Sequence, residues 1–106
     1  MGPYTDGMLS HLRARRAVLS VSGVNDRGFY NSNLLLVGTE QAMMKAADEV
    51  IVVADSSKFG HSSLALLCGL SEIDTLVVDR GMSPAWQERM GQAGVRLIRA
   101  GPDFEA

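Results

Sequence analysis

Apolar positions along this chain fall into short runs divided by glycine, proline and polar clusters, and the runs differ in period. Glu49 to Ala54 and Ile73 to Asp79 hold the continuous blocks Val50–Val53 and Leu76–Val78, which predict strands. Ala17 to Val21 and Val95 to Arg99 predict two more. The block in 49–54 is apolar at every position, as expected of a strand covered on both faces. Tyr4 to Arg16 instead carries Met8, Leu9 and Leu12 at helical spacing, with Thr5 or Asp6 as its cap. Thr39 followed by Glu40 predicts a second helix, with Ala42, Met43, Ala46 and Ala47 on its buried side and an end near Asp48. Ser83 and Pro84 predict a third helix, running to about Ala93 and closed by Gly94 in the left-handed conformation. Ser63 to Leu70 fits a short helix or an irregular strand. Ser22 to Gly28 reads as a loop whose glycines can take positive φ, inside a long connection that reaches Gly38. Leu34 to Val37 in that connection need burial, and 101–106 reads as a loose tail.

Strands alternating with helices at this spacing give an α/β layer fold with a mainly parallel sheet. The chain has 106 residues, enough for one domain and one core. Ten basic against twelve acidic residues leave no cationic surplus for gripping nucleic acid. The one basic cluster, Arg13, Arg15 and Arg16, reads as a solvated helix end. Cys68 is the single cysteine, so no internal disulfide forms; its apolar surroundings make it core filler, and a reducing compartment fits. With neither a transmembrane-length apolar stretch nor a signal-peptide pattern, the expectation is a cytoplasmic protein without a membrane partner.

Candidate chemistry concentrates in the turn after the strand 49–54: Asp55, Ser56, Ser57, Lys58, Phe59, Gly60. In an open parallel sheet, ligands bind outside the carboxyl ends of the strands. Two hydroxyls, one ammonium and a nest of backbone N–H groups suit a small phosphorylated or carboxylated molecule. Asp55 orients Lys58 or caps the turn. Ser22, Gly23, Asn25 and Asp26 follow the first strand and reach the same edge, as a second wall or as an Asx-type turn. Asn31 and Asn33 offer amides to ligand hydroxyls or close their loop. Asp79 ends a strand as a phospho-acceptor aspartate does. The receiver order, however, puts the lysine after the last strand, and Lys58 precedes Asp79, so Asp79 is expected to cap or turn. His11 and His61 lack partners at metal spacing, and no GxGxxG, Walker or HExxH pattern occurs, so no cofactor or metal is expected.

The block Ala54-Asp55-Ser56-Ser57-Lys58-Phe59-Gly60 resembles the most recognisable segment of the DeoR family of bacterial transcriptional regulators, in their C-terminal sugar-phosphate-sensing domain. Ile73 to Asp79, Ser22 to Asn25 and Ala93 to Val95 resemble its neighbouring segments, and the similarity runs from about Gly2 to Arg99. The resemblance implies a Rossmann-like, mainly parallel sheet flanked by helices, part of a ribose-5-phosphate-isomerase-like sensor domain. It implies a phosphorylated sugar as effector, Lys58 on its phosphate or a nearby oxygen, and Ser22, Gly23, Asn25 and Asp26 on the opposite wall. It further implies DNA contact only through a helix-turn-helix domain that this chain lacks, a chain that starts inside the sensor domain, and a homo-oligomer. The chain departs from the family at Gly38, where relatives usually carry an acid, and at His61, where they often carry arginine. The expected function is non-catalytic effector sensing. The alternatives are a sugar-phosphate isomerase, with Asp26 nearest to a general base, and an oligomerisation module with a vestigial pocket.

Overall fold

A computed structural model describes residues 14–100. Most of the predicted first helix, residues 4–13, and the tail 101–106 lie outside the described residues. Seven strands are present: β1 (Ala14–Ser20), β2 (Gly23–Asn25), β3 (Gly28–Asn31), β4 (Ala47–Ala54), β5 (Ala65–Cys68), β6 (Thr75–Asp79) and β7 (Arg96–Ala100). Among the described residues two α-helices join them, α1 (Leu34–Ala46) and α2 (Pro84–Gln92). β1, β4, β6 and β7 form a parallel sheet in that order, and β2, β3 and β5 form a small antiparallel sheet. The parallel strands match the four apolar runs. The class is α/β with a mainly parallel sheet, as expected, but the antiparallel sheet is an addition.

Residues 14–16 belong to β1 and not to a helix. Arg16 sits opposite Glu49 in the β1–β4 register, and its Nε donates to Glu49 Oε1 at 2.9 Å. What reads as a solvated helix end is therefore the start of a strand held by a cross-strand ion pair. The loop expected over 22–28 is a hairpin: β2 and β3 pair antiparallel around Asp26 and Arg27. Gly28 makes the turn possible. Its φ is +146°, and a Cβ there would lie 1.9 Å from the carbonyl oxygen of Cys68. Residues 63–70, ambiguous in sequence, supply β5, which pairs with β3.

α1 begins six residues earlier than Thr39 as its cap suggests. The Asn33 side chain accepts from the amides of Leu35 and Leu36 at 2.9 and 3.1 Å, and that cap fixes the start. Leu34, Leu35 and Leu36 consequently ride on the first turn, where Leu35 is 77% exposed, and only Val37 of this run is buried. Gly38 then lies inside the helix and not at its start. The helix also stops at Ala46, so that Ala47 and Asp48 already belong to β4. α2 follows expectation: Ser83 Oγ accepts from the Trp86 amide, Pro84 occupies the first turn, and Gly94 takes φ +81°.

The core joins one face of the parallel sheet (Leu19, Val50, Val52, Leu76, Val78) to Val24, Phe29 and Leu67 of the antiparallel sheet, Val37 of α1 and Met90 of α2. β4 is not covered on both faces. Val50, Val52 and Ala54 are buried, whereas Val53, opposite Ser20 and Val77 in register, is 42% exposed. The cause is topological. The order β1-β4-β6-β7 always advances the same way, and crossovers of one hand then all fall on one side. Val18, Val53 and Ile98 therefore stand exposed on the other side, with Ile51 and Val77 half-buried among them.

Candidate functional site

The carboxyl ends of β4 and β6 lie side by side, since Ala54 pairs with Val78, and each runs into a turn led by an aspartate. Asp55 caps the tight turn Ser56–Lys58 by accepting from the Ser57 amide at 3.1 Å. Asp79 accepts from the Ser56 amide at 3.3 Å and from the Gly81 amide at 2.9 Å. The Ser56 hydroxyl, and then these amides and a contact from Asp55, hold the Asp79 carboxyl below its usual range against the opposing effect of burial. Asp79 is thus the capping residue its chain position suggests. A hollow of about 330 Å³ opens here, lined by Val53, Ala54, Asp55, Val77, Val78, Asp79 and Ala100. Two carboxylates and no cation line it, which disfavours an anion.

The expected nest of amides is internally committed. The Ser56 and Ser57 amides go to Asp79 and Asp55, that of Lys58 to the Asp55 carbonyl, and that of Phe59 to the Ser56 carbonyl. Those of Gly60 and His61 both reach the Val24 carbonyl, at 2.7 and 3.2 Å. The donors left for a ligand are the Ser57 hydroxyl and the half-buried Lys58, which has no ion-pair partner among the described residues.

The Gly60 and His61 bonds to Val24 dock this turn against the β2–β3 hairpin, and Gly23 lies against the His61 carbonyl. The two walls read from the sequence do meet there. A crevice of about 350 Å³ is lined by Asn25, Asp26, Arg27, Gly60 and Trp86. Asn25 Oδ1 accepts from the Arg27 amide at 2.9 Å, the Asx turn weighed above. Asp26 forms an ion pair with Arg89 of α2. A smaller concavity of about 210 Å³ between Asp26, Ala85, Trp86 and Arg89 continues the crevice. The Arg89 guanidinium lies 5.2 Å from the centre of the Trp86 ring, which Phe59 meets edge-on at 5.2 Å and 64°.

Three nominated residues serve the scaffold. Asn31 is 7% exposed, and its amide donates to the Ser20 carbonyl at 3.2 Å and to Glu40 Oε1 at 2.7 Å, while its Oδ1 accepts from the Ser22 amide at 3.1 Å. Burial pushes the Glu40 carboxyl up, with the Asn31 amide opposing. The Ser22 hydroxyl donates to the Tyr30 carbonyl at 3.3 Å, and Asn33 caps α1. Arg27, Trp86 and Arg89 were not anticipated. Trp86 and Arg89 carry the available signal: spacing of i, i+3 on a helix brings a guanidinium over an indole.

A further concavity, of about 410 Å³, lies elsewhere, among Gln41, Met44, Lys45, Val50, Leu67, Cys68 and Glu72. It borders the amino half of β4, away from the strand ends where such sheets bind ligands. Cys68 there is buried, and desolvation, then Glu72 and Glu40, pushes its thiol up to about 12, as expected of core filler. Among the described residues no three His, Cys, Asp or Glu side chains gather as metal ligands, and no helix is long and apolar enough to cross a membrane.

Comparison with known proteins agrees with the block after β4. Residues 1–80 match the family described as the DeoR C terminal sensor domain. The chain is 32% identical over 98 residues to the L-fucose operon activator of Haemophilus influenzae, covering 92% of this chain and 39% of that protein. It is 36% identical over 101 residues to a putative aga operon transcriptional repressor of Escherichia coli O157:H7, covering 94% of this chain and 38% of that protein. It is 28% identical over 80 residues to the HTH-type transcriptional regulator UlaR of Shigella dysenteriae, covering 76% and 32%. The chain therefore spans about two-fifths or less of the length of the curated relatives it matches. With the family match extending over most of the chain and through the Asp55–Gly60 turn, this protein belongs to the DeoR C-terminal sensor domain family.

Proposed function

We propose that this chain senses a phosphorylated sugar for a cytoplasmic DeoR-type regulator and performs no catalysis. DNA contact is made by a helix-turn-helix domain outside this chain, and the working regulator is a homo-oligomer. The observation that supports this reading is the docking on the β2–β3 hairpin of the turn that holds Ser57 and Lys58, through the Gly60 and His61 amides on the Val24 carbonyl; Gly60, and not Lys58 or Ser57, lines the crevice there. An ammonium without a carboxylate partner among the described residues, next in the chain to a hydroxyl, suits the phosphate or a nearby oxygen of a phosphorylated sugar. A relative named for an L-fucose operon supports a sugar as the ligand class.

The test is calorimetric titration with a panel of sugar phosphates. Lys58→Ala is expected to weaken binding by about 1.5–3 kcal/mol, the range for hydrogen bonds to charged groups. Unchanged affinity would remove Lys58 from the site. Turnover of ribose 5-phosphate to ribulose 5-phosphate would overturn the non-catalytic reading.

A further inference from the structure

Three features mark the hairpin–α2 crevice. First, it has a cationic surplus: Arg27 and Arg89 against Asp26, whereas the hollow at the strand ends holds two carboxylates and that beside α1 balances Lys45 with Glu72. Second, its wall includes Trp86, the one tryptophan of the chain, left half-exposed and fixed in place by the Phe59 edge. Third, its ion pair is weakly held. The Arg89 and Asp26 side chains are 44% and 73% exposed, and solvent screens such a pair. The Arg27 guanidinium has no ion-pair partner among the described residues.

We propose that this crevice is the phosphate subsite of the effector: the phosphate takes Arg89 over from Asp26 with Arg27 as its second cation, and Trp86, which lies under the Arg89 guanidinium, reports the exchange. The proposal rests on the sugar-phosphate reading above. A phosphate offers more acceptor oxygens and more charge than the carboxylate it displaces, and guanidinium binds it in bidentate geometry. The crevice, about 350 Å³ with a continuation of about 210 Å³, has the size of a small-ligand site and accommodates a monosaccharide phosphate. Asp26 is then a place-holder whose charge opposes the ligand, and the two halves of the ion pair have opposite effects on affinity.

The full chain is titrated with ribose 5-phosphate, fructose 1-phosphate and glucose 6-phosphate, with the matching neutral sugars, and with inorganic phosphate, reading both calorimetry and Trp86 emission. A saturable emission change is expected with at least one sugar phosphate, at concentrations where the neutral sugar and phosphate alone give little. Arg89→Gln should weaken that binding at least tenfold, and Asp26→Asn should strengthen it severalfold. Both substitutions are at exposed side chains, and a urea midpoint checks that each variant folds. A purely structural latch would move both variants the same way, which would overturn the subsite. Heat of binding with Trp86 emission and Arg89→Gln affinity unchanged, but lost in Lys58→Ala, would also overturn it while leaving sugar-phosphate sensing in place. No binding by any sugar phosphate would overturn both.

Discussion

Replacing Asn31 separates a scaffold role from a ligand role. Its side chain makes three hydrogen bonds from a position 7% exposed, which link the end of β1, the start of the hairpin and α1. In Asn31→Ala the bond to the Glu40 carboxylate contributes most, about 1.5–3 kcal/mol as a charged acceptor in a buried setting. The bond to the Ser20 carbonyl adds about 0.5–1.5 kcal/mol. The Ser22 amide loses little, because it also donates to the Tyr30 carbonyl at 2.9 Å. The sum is a loss of about 2–4.5 kcal/mol, a large share of the roughly 5–15 kcal/mol available to a domain. Urea denaturation followed by far-ultraviolet circular dichroism reads this as a lower midpoint at unchanged slope. A double-mutant cycle with Glu40→Gln should show coupling between the two positions, since the glutamine keeps an acceptor and removes the buried charge. A loss under about 0.5 kcal/mol, with sugar-phosphate affinity abolished in the folded variant, would refute the scaffold argument and return Asn31 to the ligand.

Four further outcomes follow from the same geometry. Gly38 lies inside α1 with open space where a Cβ would go, so Gly38→Ala should stabilise by about 0.5–1 kcal/mol, read from the thermal or urea midpoint. The lowered Asp79 carboxyl contributes stability that is present above its unfolded pKa, near 3.9, and lost as pH falls through the folded value; Asp79→Asn should flatten the acid side of the stability profile. The raised Glu40 carboxyl acts in the opposite sense, with stability lost as pH rises through its folded value, so Glu40→Gln should gain stability at pH 7 relative to pH 4. Cys68 should resist a thiol reagent at pH 8 in the folded chain and react promptly in denaturant, and fast labelling of the native chain would contradict its burial.

The parallel strands were legible because each is an apolar run, and α2 because serine, proline and glycine mark its ends. The hairpin was not. β2 and β3 are three and four residues long, and their polar ends at Asn25 and Asn31 mask the pairing of Val24 with Phe29. The start of α1 was misplaced because Asn33 and Thr39 both resemble caps, and only the amides within reach of Asn33 decide between them. Leu34 to Leu36 looked like core because their composition is apolar, yet the cap puts them on a first turn facing water. At the site, the family block and the two walls were visible in the chain. The commitment of its amides to Asp55, Asp79 and Val24 was not, since it depends on which strand ends become neighbours. Trp86 and Arg89 were missed for a related reason: they approach Asp26 only once α2 has folded back on the hairpin.

The one-sided stacking of the parallel sheet governs how this polypeptide behaves in a tube. Val18, Ile51, Val53, Val77 and Ile98 make an oily strip across four strands, each worth about 1 kcal/mol when water is driven from its exposed part. Any second layer that lands there, whether supplied by the same polypeptide or another, gains roughly 5 kcal/mol before a single polar contact is counted. Concentration and salt therefore belong among the controlled variables of every binding measurement on this chain, because salts that strengthen apolar association act on that strip and not on the crevice on the far side.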